Sequence, residues 1–340
     1  MKKFCLLGVF IVFVNLCFAG GRQDEVDVAQ WPSGPVTVVC PWAVGGVVDI
    51  VNRNLAAYGE DALGQPVIAT NDFLRDGAMS ISSEFLHPVS SMLGGSGNIA
   101  LTNYLKNEPN SLNLIIGSEN AFAVSPNLPG VQEPPFSYDD FEPIINLCSA
   151  IFVLTADSAL HITNLDSLTA YGQGRVLSVA VGGSTSIEYF MVKMLLEELG
   201  LDFEVIAYNG ANVALEALMR GEVHLAVSHQ SQAQAGVESG CITPVVLFDK
   251  KGADDGVFAG TRGVGEYGYT SYCLNRSFLM ARKGTDPAVI QKVYDAYAQI
   301  LAKDEVRDLF RTMMIEVEPL DGAGINQHLA EVANMVKQHL

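Results

Sequence analysis

In the middle of the chain, from residue 176 to 248, the apolar positions follow two patterns in turn, one typical of strands and one typical of helices. A β-branched run, VLSVAV, is followed by the turn GGSTS and then by IEYFMVKMLLEEL, whose apolar residues recur at helical spacing up to Gly200. The rest of the block is predicted, in chain order, as strand FEVIAY, helix NVALEALMR, strand VHLAVS, helix QSQAQAGVES and strand CITPVVLF. Strands separated by helices of this length pair in parallel, so the pattern predicts a parallel α/β unit.

The two ends of the chain repeat this alternation. The strand VTVVC precedes a helix from about Val47 to Tyr58, and further strands are predicted at PVIAT and LNLIIGS. Near the other end, Asp286 and Pro287 are typical of the N-cap and the first position of a helix. Beyond that helix the pattern predicts, in order, a helix over DEVRDLFRTMM, a strand at IEVEPL and a last helix over INQHLAEVANMVKQHL.

Two segments rich in Pro, Gly and Asp interrupt the pattern, at PNLPGVQEPPFSYDD and near FDKKGADDG, and they indicate that the chain crosses twice between domains. We therefore expect a discontinuous lobe of residues 31–139 and 249–340 and a second lobe of residues 140–248. The crossings are expected near 138–142 and 247–252. Two α/β lobes joined in this way leave a cleft that can close about a hinge on a small ligand. A chain of 340 residues, 49% of them hydrophobic, is large enough for two such cores.

The first 19 residues are typical of an export signal. Lys2 and Lys3 precede an apolar stretch, and Cys17-Phe18-Ala19 places small residues around a cleavage point before Gly20. The sequence therefore predicts a periplasmic protein. Lipid modification of Cys17 is the alternative outcome, although the bulky Leu16 is unfavourable for it. No later segment is long and apolar enough to be predicted as a membrane span.

The strongly acidic composition narrows the possible partners. The formal charge of −18 becomes −20 when Lys2 and Lys3 are removed with the signal. Nucleic acids and anionic lipids are bound by clustered Lys and Arg, so neither is expected as a partner. A field of this sign also repels a small organic anion, so the capture of such an anion must depend on local donors.

The first glycine turn, PWAVGGVVD, joins a predicted strand to a predicted helix. Gly45 and Gly46 allow a ligand to approach the backbone, and a helix that opens at Val47 offers unpaired N–H groups and the positive end of its dipole. Such a turn can hold an anion without a side-chain cation. Asp49 lies in the first helical turn, where it either caps the helix or receives a polar group of the ligand.

The second glycine turn, VGGSTSIEYF, has the same layout. Gly182 and Gly183 permit close approach, while Ser184, Thr185 and Ser186 either donate to a ligand or cap the helix. A third turn, AYNGAN, adds an aromatic hydroxyl and an amide. Two such turns, one in each lobe, favour a shared anion site over two independent caps.

Three enzyme motifs are missing from the positions where they would be expected. The sequence contains no G-x-S-x-G, no GxxxxGK[ST] and no GxGxxG in the first turn. His224 and His229 would face opposite sides of a strand, and Cys40, Cys148, Cys241 and Cys273 follow no metal-binding spacing. Buried free thiols are favoured over disulfides for these four residues. We therefore expect no enzymatic activity, no cofactor and no metal.

Several segments, in order, resemble the tripartite tricarboxylate transporter substrate-binding proteins, known as the TctC or Bug family. They are WPSGPVTVVCPWAVGGVVDIVNR, LGQPVIATN at 63–71, GGSGNIA at 94–100, LNLIIGS, YDDFEPIINL at 138–147, AYNGANVALEALMRGEVHLAV and KGTDPAVIQKVYDAYAQILAKDEVRDLF. Each motif is loose, but together they span about residues 31 to 335 in the family's order.

The resemblance implies a type II periplasmic-binding-protein fold and a small carboxylate ligand held by backbone amides and water. It also implies a monomer that delivers the ligand to the permease subunits of a tripartite tricarboxylate transporter. The residues that it places at the site are Trp42, Ala43, Val44, Gly45, Gly46, Asp49, Gly183, Ser184, Thr185, Ser186, Tyr189 and Tyr208.

Three departures from the family pattern bear on the ligand. Trp42 stands where Phe is usual, Tyr189 stands where many relatives have His, and residues 72–91 are an extra segment that can cover or reshape the cleft. The sequence leaves the ligand open among di- and tricarboxylates, amino acids and aromatic acids. It also leaves open the alternative that the protein is a sensor feeding a two-component signalling system.

Overall fold

The computed structural model describes residues 28–42, 44–72, 97–107, 110–128, 134–184, 186–208 and 210–338. The strands are β1 (Val36–Cys40), β2 (Val67–Asn71), β3 (Asn113–Ser118), β4 (Phe141–Ala150), β5 (Phe152–Asp157), β6 (Val176–Val181), β7 (Asp202–Ala207), β8 (Leu225–His229), β9 (Ile242–Leu247), β10 (Asn275–Arg282) and β11 (Ile315–Glu316). The α-helices are α1 (Val47–Ala57), α2 (Gly59–Leu63), α3 (Asn98–Lys106), α4 (Leu165–Gly172), α5 (Ile187–Glu198), α6 (Ala211–Met219), α7 (Gln230–Glu238), α8 (Pro287–Leu301), α9 (Asp304–Thr312) and α10 (Gly322–Gln338).

The strands form two sheets, each packed with helices, and we call the two units lobe one and lobe two. The sheet of lobe one has the order β11-β4-β10-β3-β1-β2, in which β1 runs parallel to β2 and β3. In β1 every second residue is fully buried (Val36, Val38 and Cys40), in one cluster with apolar residues of α1 and α8. Because β1, β2 and β3 are parallel, their carboxyl ends lie at one edge of the sheet, and the turns that follow them are neighbours.

The sheet of lobe two has the order β7-β6-β8-β5-β9. The prediction of a parallel unit is confirmed for β6 with β7 and for β6 with β8. It is wrong for β9, whose partner among the described strands is β5, and β5 is antiparallel to both of its neighbours. The physical reason is that β5 does not enter from a crossover helix. It continues almost directly from β4 of the other sheet and so runs against the helix-linked strands.

The first crossing between the sheets lies at Ile151, where β4 ends and β5 begins. β4 pairs along its length with β10, so the expected crossing near 138–142, and the boundary between residues 139 and 140, lie one strand too early. The Pro- and Asp-rich signal marks instead a short 3-10 turn, Tyr138–Asp140, which is capped by Ser137. The second crossing begins after Leu247, where β9 ends.

Other sequence features can be compared with the structure. Asp286 caps α8 as predicted, since its carboxylate accepts a hydrogen bond from the Ala288 N–H at 2.8 Å. The four cysteines from Cys40 onward form no disulfide; Cys40 and Cys148 are buried, whereas Cys241 is exposed. Within the described ranges no helix has the length and hydropathy that crossing a bilayer requires. The export signal of residues 1–19, with Cys17, and nearly all of the segment 72–91 lie outside the described residues.

Candidate ligand-binding site

The first glycine turn is organised by the carboxylate of Asp49, which is 1% exposed. It accepts hydrogen bonds from the Gly45 N–H at 2.8 Å and from the Asn71 side chain at 2.9 Å, and it pairs with Arg53 Nε at 2.9 Å. Burial acts to raise the pKa of Asp49, but these partners outweigh it and hold that pKa below its ordinary value. The carboxylate is therefore fully engaged within the turn, and of its two alternative roles the geometry supports the structural one.

The backbone N–H groups that follow Gly45 have no acceptor among the described residues. Gly46 is the N-cap of α1 and has no side chain to cap it, and the amides of Gly46, Val47 and Val48 have no hydrogen-bond acceptor within the described part of the chain. Val44 is 72% exposed, and a Cβ placed on Gly45 would meet nothing within 4 Å. Ala43 lies outside the described residues. The turn thus presents bare N–H groups at a helix N-terminus, which is a favourable environment for an anion.

Two neighbours of this turn were not singled out by the sequence. Asn71, the last residue of β2, also donates to the Trp42 carbonyl at 3.0 Å and thereby fixes the path of the turn. Gly97, the N-cap of α3, has a φ of 81°, and a Cβ there would lie 2.8 Å from Pro41 Cβ and 3.9 Å from Trp42 Cζ2. The N-termini of α1 and α3 therefore meet at the Pro41-Trp42 segment. The carboxyl-end rule for parallel strands predicts a functional residue at the end of β2 and is the signal that finds Asn71.

The second and third turns, after β6 and β7, are joined to each other. The Tyr208 N–H donates to the Val181 carbonyl at 2.9 Å, and the Gly210 N–H donates to the Gly182 carbonyl at 3.0 Å. A Cβ on Gly182 would lie 2.7 Å from the backbone nitrogen of Ala211, so only glycine fits. The N-termini of α5 and α6 therefore lie side by side in lobe two.

Ser186 in the second turn does not make the cap hydrogen bond that the sequence suggests for it. Ser186 is the N-cap of α5 and is buried, but its hydroxyl donates to the Gly183 carbonyl at 2.8 Å and makes no cap hydrogen bond. Its proton is therefore used inside the turn and is not available to a ligand. Ser184 is exposed, and Thr185 lies outside the described residues.

The two tyrosines keep unused hydroxyl groups. Tyr189 is half-buried and its ring packs edge-on against Phe190, with 5.6 Å between ring centroids. Tyr208 is also half-buried, at the end of β7. Neither hydroxyl has a hydrogen-bond partner among the described residues, so both remain available to a ligand.

A hydrogen bond connects the lobes at this site. The Asn120 side chain, which follows β3, accepts from the N–H of Ile187, the first residue of α5, at 3.0 Å. Among the described residues no hydrogen bond links the first glycine turn directly to the second, so Asn120 carries this connection. Asn120 opens a π-helical turn at the carboxyl end of a parallel strand, and the strand-end rule is again the signal that finds it.

Glu188 is a buried carboxyl group that the sequence did not reveal. It is 7% exposed and lies in the first turn of α5, next to Gly182. Burial raises the pKa of Glu188 from an ordinary 4.5 to about 7, and the charge of Glu119 in lobe one adds to the rise. Glu119 itself is fully buried and accepts from the Arg276 N–H at 3.0 Å and from the Asn275 side chain.

The rest of the described chain places no metal centre at the site. His224 Nδ1 lies 2.7 Å from Ser178 Oγ, while the His229 ring packs on Phe152 at 4.4 Å, so the two histidines do not form a pair. No cluster of three or more His, Cys, Asp or Glu side chains suited to a metal occurs in the described ranges. Three cavities, of about 260, 600 and 280 Å³, lie outside the two glycine turns, and only the first of them touches the site, through Asn71.

Two α/β lobes, two crossings and helix N-termini at the carboxyl ends of parallel strands define the type II periplasmic-binding-protein fold. The profile of the tripartite tricarboxylate transporter family receptor (TctC) matches residues 91–339, and the chain belongs to this family. It is a family of solute receptors, as the resemblance in the sequence predicts.

Individual relatives agree with this assignment. Protein BugT of Bordetella pertussis is 23% identical over 294 residues, which is 85% of this chain and 81% of that protein. The Rhodopseudomonas palustris protein Rpa4515, solved with adipate, has a TM-score of 0.75 and 21% identity, covering 91% of this chain and 96% of its own. MatC from the same organism, solved with malate, has a TM-score of 0.71 and 22% identity, covering 91% and 99%. At these identities the structures show the shared fold.

Proposed function

We propose that this protein is a periplasmic receptor that captures a small carboxylate between its lobes and delivers it to a tripartite tricarboxylate-type membrane transporter. The observation that carries the proposal is the open N-terminus of α1 at Gly46–Val48, where three amides have no acceptor in the described part of the chain. The nearby cation, Arg53, is occupied by Asp49 and Asn71 and does not replace these amides as the anion donor.

The ligand carboxylate lies against these amides in lobe one. Its remaining polar groups reach lobe two, where α5 begins after β6 and Tyr208 follows β7, and where the hydroxyls of Tyr189 and Tyr208 have no partner among the described residues. Two relatives of this fold were solved with the dicarboxylates malate and adipate, which supports a carboxylate with two or more polar groups. The hydroxyl of Tyr189 can donate a hydrogen bond but carries no positive charge. It therefore favours a ligand whose group in lobe two is neutral, or is held by a hydrogen bond and not by an ion pair.

Closure of the lobes completes the site. The Asn120–Ile187 hydrogen bond joins lobe one to lobe two beside the glycine turns and fixes their separation when the cleft is closed. The hinge consists of the crossing at Ile151 and the segment after Leu247. We therefore propose the lobe boundaries predicted from the sequence with one change: strand β4 (Phe141–Ala150) belongs to lobe one.

The test is a thermal-shift screen of di- and tricarboxylates, amino acids and aromatic acids against the mature protein. A ligand at a hundred times its Kd stabilises by about 2.7 kcal/mol, which such a screen detects easily. In the variant Gly46→Asp the hit is expected to lose binding, because a carboxylate occupies the position of the anion.

The matched control is Gly34→Asp, which introduces the same residue at the amino end of β1, where a Cβ meets only Leu112 at 3.8 Å. It is expected to bind as the wild type does. Unchanged affinity in Gly46→Asp would overturn the site. The transport role is tested separately, by measuring uptake of the identified ligand in cells that lack the gene; normal uptake would overturn delivery but not binding.

A further inference from the structure

The N-termini of α1 and α5 differ in how many of their backbone N–H groups are free. At the start of α1, the N–H groups of Gly46–Val48 have no acceptor among the described residues. At the start of α5, the Ile187 N–H already donates to the Asn120 side chain at 3.0 Å. The N–H of Glu188, the next residue, donates to the carboxyl group of its own side chain. The two lobes therefore offer a ligand unequal sets of backbone donors.

Glu188 places a carboxyl group against the second glycine turn. The residue is 7% exposed, and its Oε1 lies 3.2 Å from the position that a Cβ on Gly182 would take. The Gly182 N–H is a further donor to this carboxyl group. An acceptor that belongs to the protein thus uses the amides at this helix N-terminus, which would otherwise favour an anionic group of a ligand.

A second buried carboxyl group, that of Glu119 in lobe one, acts on Glu188. Glu119 precedes Asn120, whose side chain bonds to the residue before Glu188, and it is fully buried. Its Oε2 lies 3.8 Å from His328 Nε2, whereas the Arg276 guanidinium is paired with Glu318 at 2.7 Å. The closed site therefore already holds one carboxyl group from each lobe.

Cationic side chains around α5 do not offset these carboxyl groups. On α5 itself, Lys193 is paired with Glu197 at 2.9 Å. On β8, burial lowers the pKa of His229 to about 4, so its ring is neutral at pH 7. The remaining acidic and basic side chains of α5, β7 and α6 are exposed, and they are Glu198, Asp202, Glu204, Glu216 and Arg220.

The free side-chain donors of lobe two at this site are uncharged. The hydroxyls of Tyr189 and Tyr208 have no hydrogen-bond partner among the described residues, and each can both donate and accept. They suit a neutral polar group such as a carboxamide or a hydroxyl. A second carboxylate placed there would lie near the carboxyl group of Glu188, and like charges brought together in a closed site are strongly unfavourable.

We propose that Glu188 determines the specificity of the ligand site, by selecting an acid with one carboxylate and a neutral polar group at its other end over the corresponding dicarboxylate. This inference rests on the proposed function. The one carboxylate binds the bare amides of α1, and the neutral group binds the hydroxyls of lobe two. Glu188 acts on the second group by its charge and by occupying the amides that a second anion needs.

The test is calorimetric titration of the mature protein with succinate, glutarate and adipate and with the monoamide of each. At pH 8 the wild type is expected to bind a monoamide about tenfold more tightly than the dicarboxylate of the same chain length. In Glu188→Gln, which removes the charge but keeps the shape, this preference is expected to fall to about twofold. Glu197→Gln is the matched control on the exposed side of the same helix and should keep the wild-type preference.

The preference is also expected to depend on pH. Burial raises the pKa of Glu188 to about 7, so its carboxyl group is mostly protonated at pH 6 and mostly ionised at pH 8. The carboxylates of the ligands stay ionised over this range, because ordinary carboxyl pKa values lie near about 4. The wild-type preference should therefore narrow at pH 6, whereas that of Glu188→Gln should be the same at both values. A purely structural role would weaken both acids of a pair equally and would not produce this dependence.

Three outcomes would overturn the inference. They are an equal preference in wild type and Glu188→Gln at pH 8, a wild type that binds a dicarboxylate as tightly as its monoamide, and no binding of any of the six acids. The first two leave the proposed capture of a carboxylate intact, because an acid is bound. The third rejects the ligand class inferred from Glu188, while the wider thermal-shift screen decides separately whether the protein binds another carboxylate.

Discussion

Asp49 and Arg53 form an ion pair one helical turn apart, in which the carboxylate is buried and the guanidinium is about half exposed. The Asp49 carboxylate accepts from the Gly45 N–H, which precedes the open amides of α1. The Arg53 guanidinium is therefore bound by Asp49 and Asn71 within the turn, and the proposed anion is held by backbone N–H groups.

The first prediction concerns this pair. Asp49→Asn is expected to destabilise the protein by about 1–3 kcal/mol, because it leaves buried donors without a charged acceptor. Glu216→Gln is the control, since Glu216 and Arg220 have the same spacing but are both exposed, and exposed ion pairs contribute little to stability. Equal effects in urea unfolding at neutral pH would contradict the structural role of Asp49.

The same carboxyl group predicts a pH dependence. Because its pKa is lowered in the folded state, its contribution is present above the ordinary value of 3.8 and is lost as the pH falls through the folded pKa. The difference in unfolding free energy between wild type and Asp49→Asn is therefore expected to shrink between pH 5 and pH 2, which is roughly the window for such a group. A difference that stays constant would show that Asp49 is not charged in the native turn.

The raised pKa of Glu188 predicts that its contribution to the unfolding free energy changes with pH in the opposite direction. Its folded pKa of about 7 lies above the ordinary 4.5, so the native state binds the proton more tightly and stability falls as the pH rises from 4.5 to 7. Glu188→Gln is expected to remove this loss and to be about 1–3 kcal/mol more stable than wild type at pH 8. Glu197→Gln, on the exposed side of the same helix, is the control and should keep the wild-type slope.

The glycines of the second turn give a matched pair. Gly182→Ala forces a methyl group against the Ala211 backbone and is expected to cost about 1–3 kcal/mol. Gly183→Ala places it 3.9 Å from Ser186, an ordinary contact, and should change stability much less. Thermal unfolding of the two variants decides the matter; equal losses would mean that the turns after β6 and β7 are not joined as described.

Asn120 predicts an effect on lobe closure. Asn120→Ala removes the hydrogen bond to Ile187 and is expected to widen the ligand-free protein, as measured by small-angle X-ray scattering, and to weaken ligand binding several-fold. Asn127→Ala is the control, because the Asn127 side chain donates to the Ala123 carbonyl within the same segment and, among the described residues, makes no hydrogen bond to the other lobe. If both variants scatter as the wild type does, the bond does not hold the lobes together.

Glycine turns, helix caps and crossover helices could be predicted from the sequence because each has a local signature. The strands β4 and β10 could not, since nearly all residues of both are buried and an apolar run without alternation is ambiguous. Their pairing is also irregular, with register shifts between Ser277 and Phe278 and between Leu279 and Met280. The contacts of Asn71 and Asn120 are with residues far along the chain and could not be predicted, although the position of both residues at the carboxyl ends of parallel strands marks them as candidates.

Ile151 is the single residue between β4 of one sheet and β5 of the other, so the two sheets are joined there almost directly. Any swing of the lobes then turns about an axis near β4, and displacement grows with distance from it. Adjacent strands are about 4.8 Å apart, so β3 lies about 10 Å from β4 and β1 about 15 Å. The Asn120 end of the cleft, at β3, is therefore displaced about two thirds as far as the Trp42 turn that follows β1, and the Trp42 turn has the larger effect on the width of the entrance.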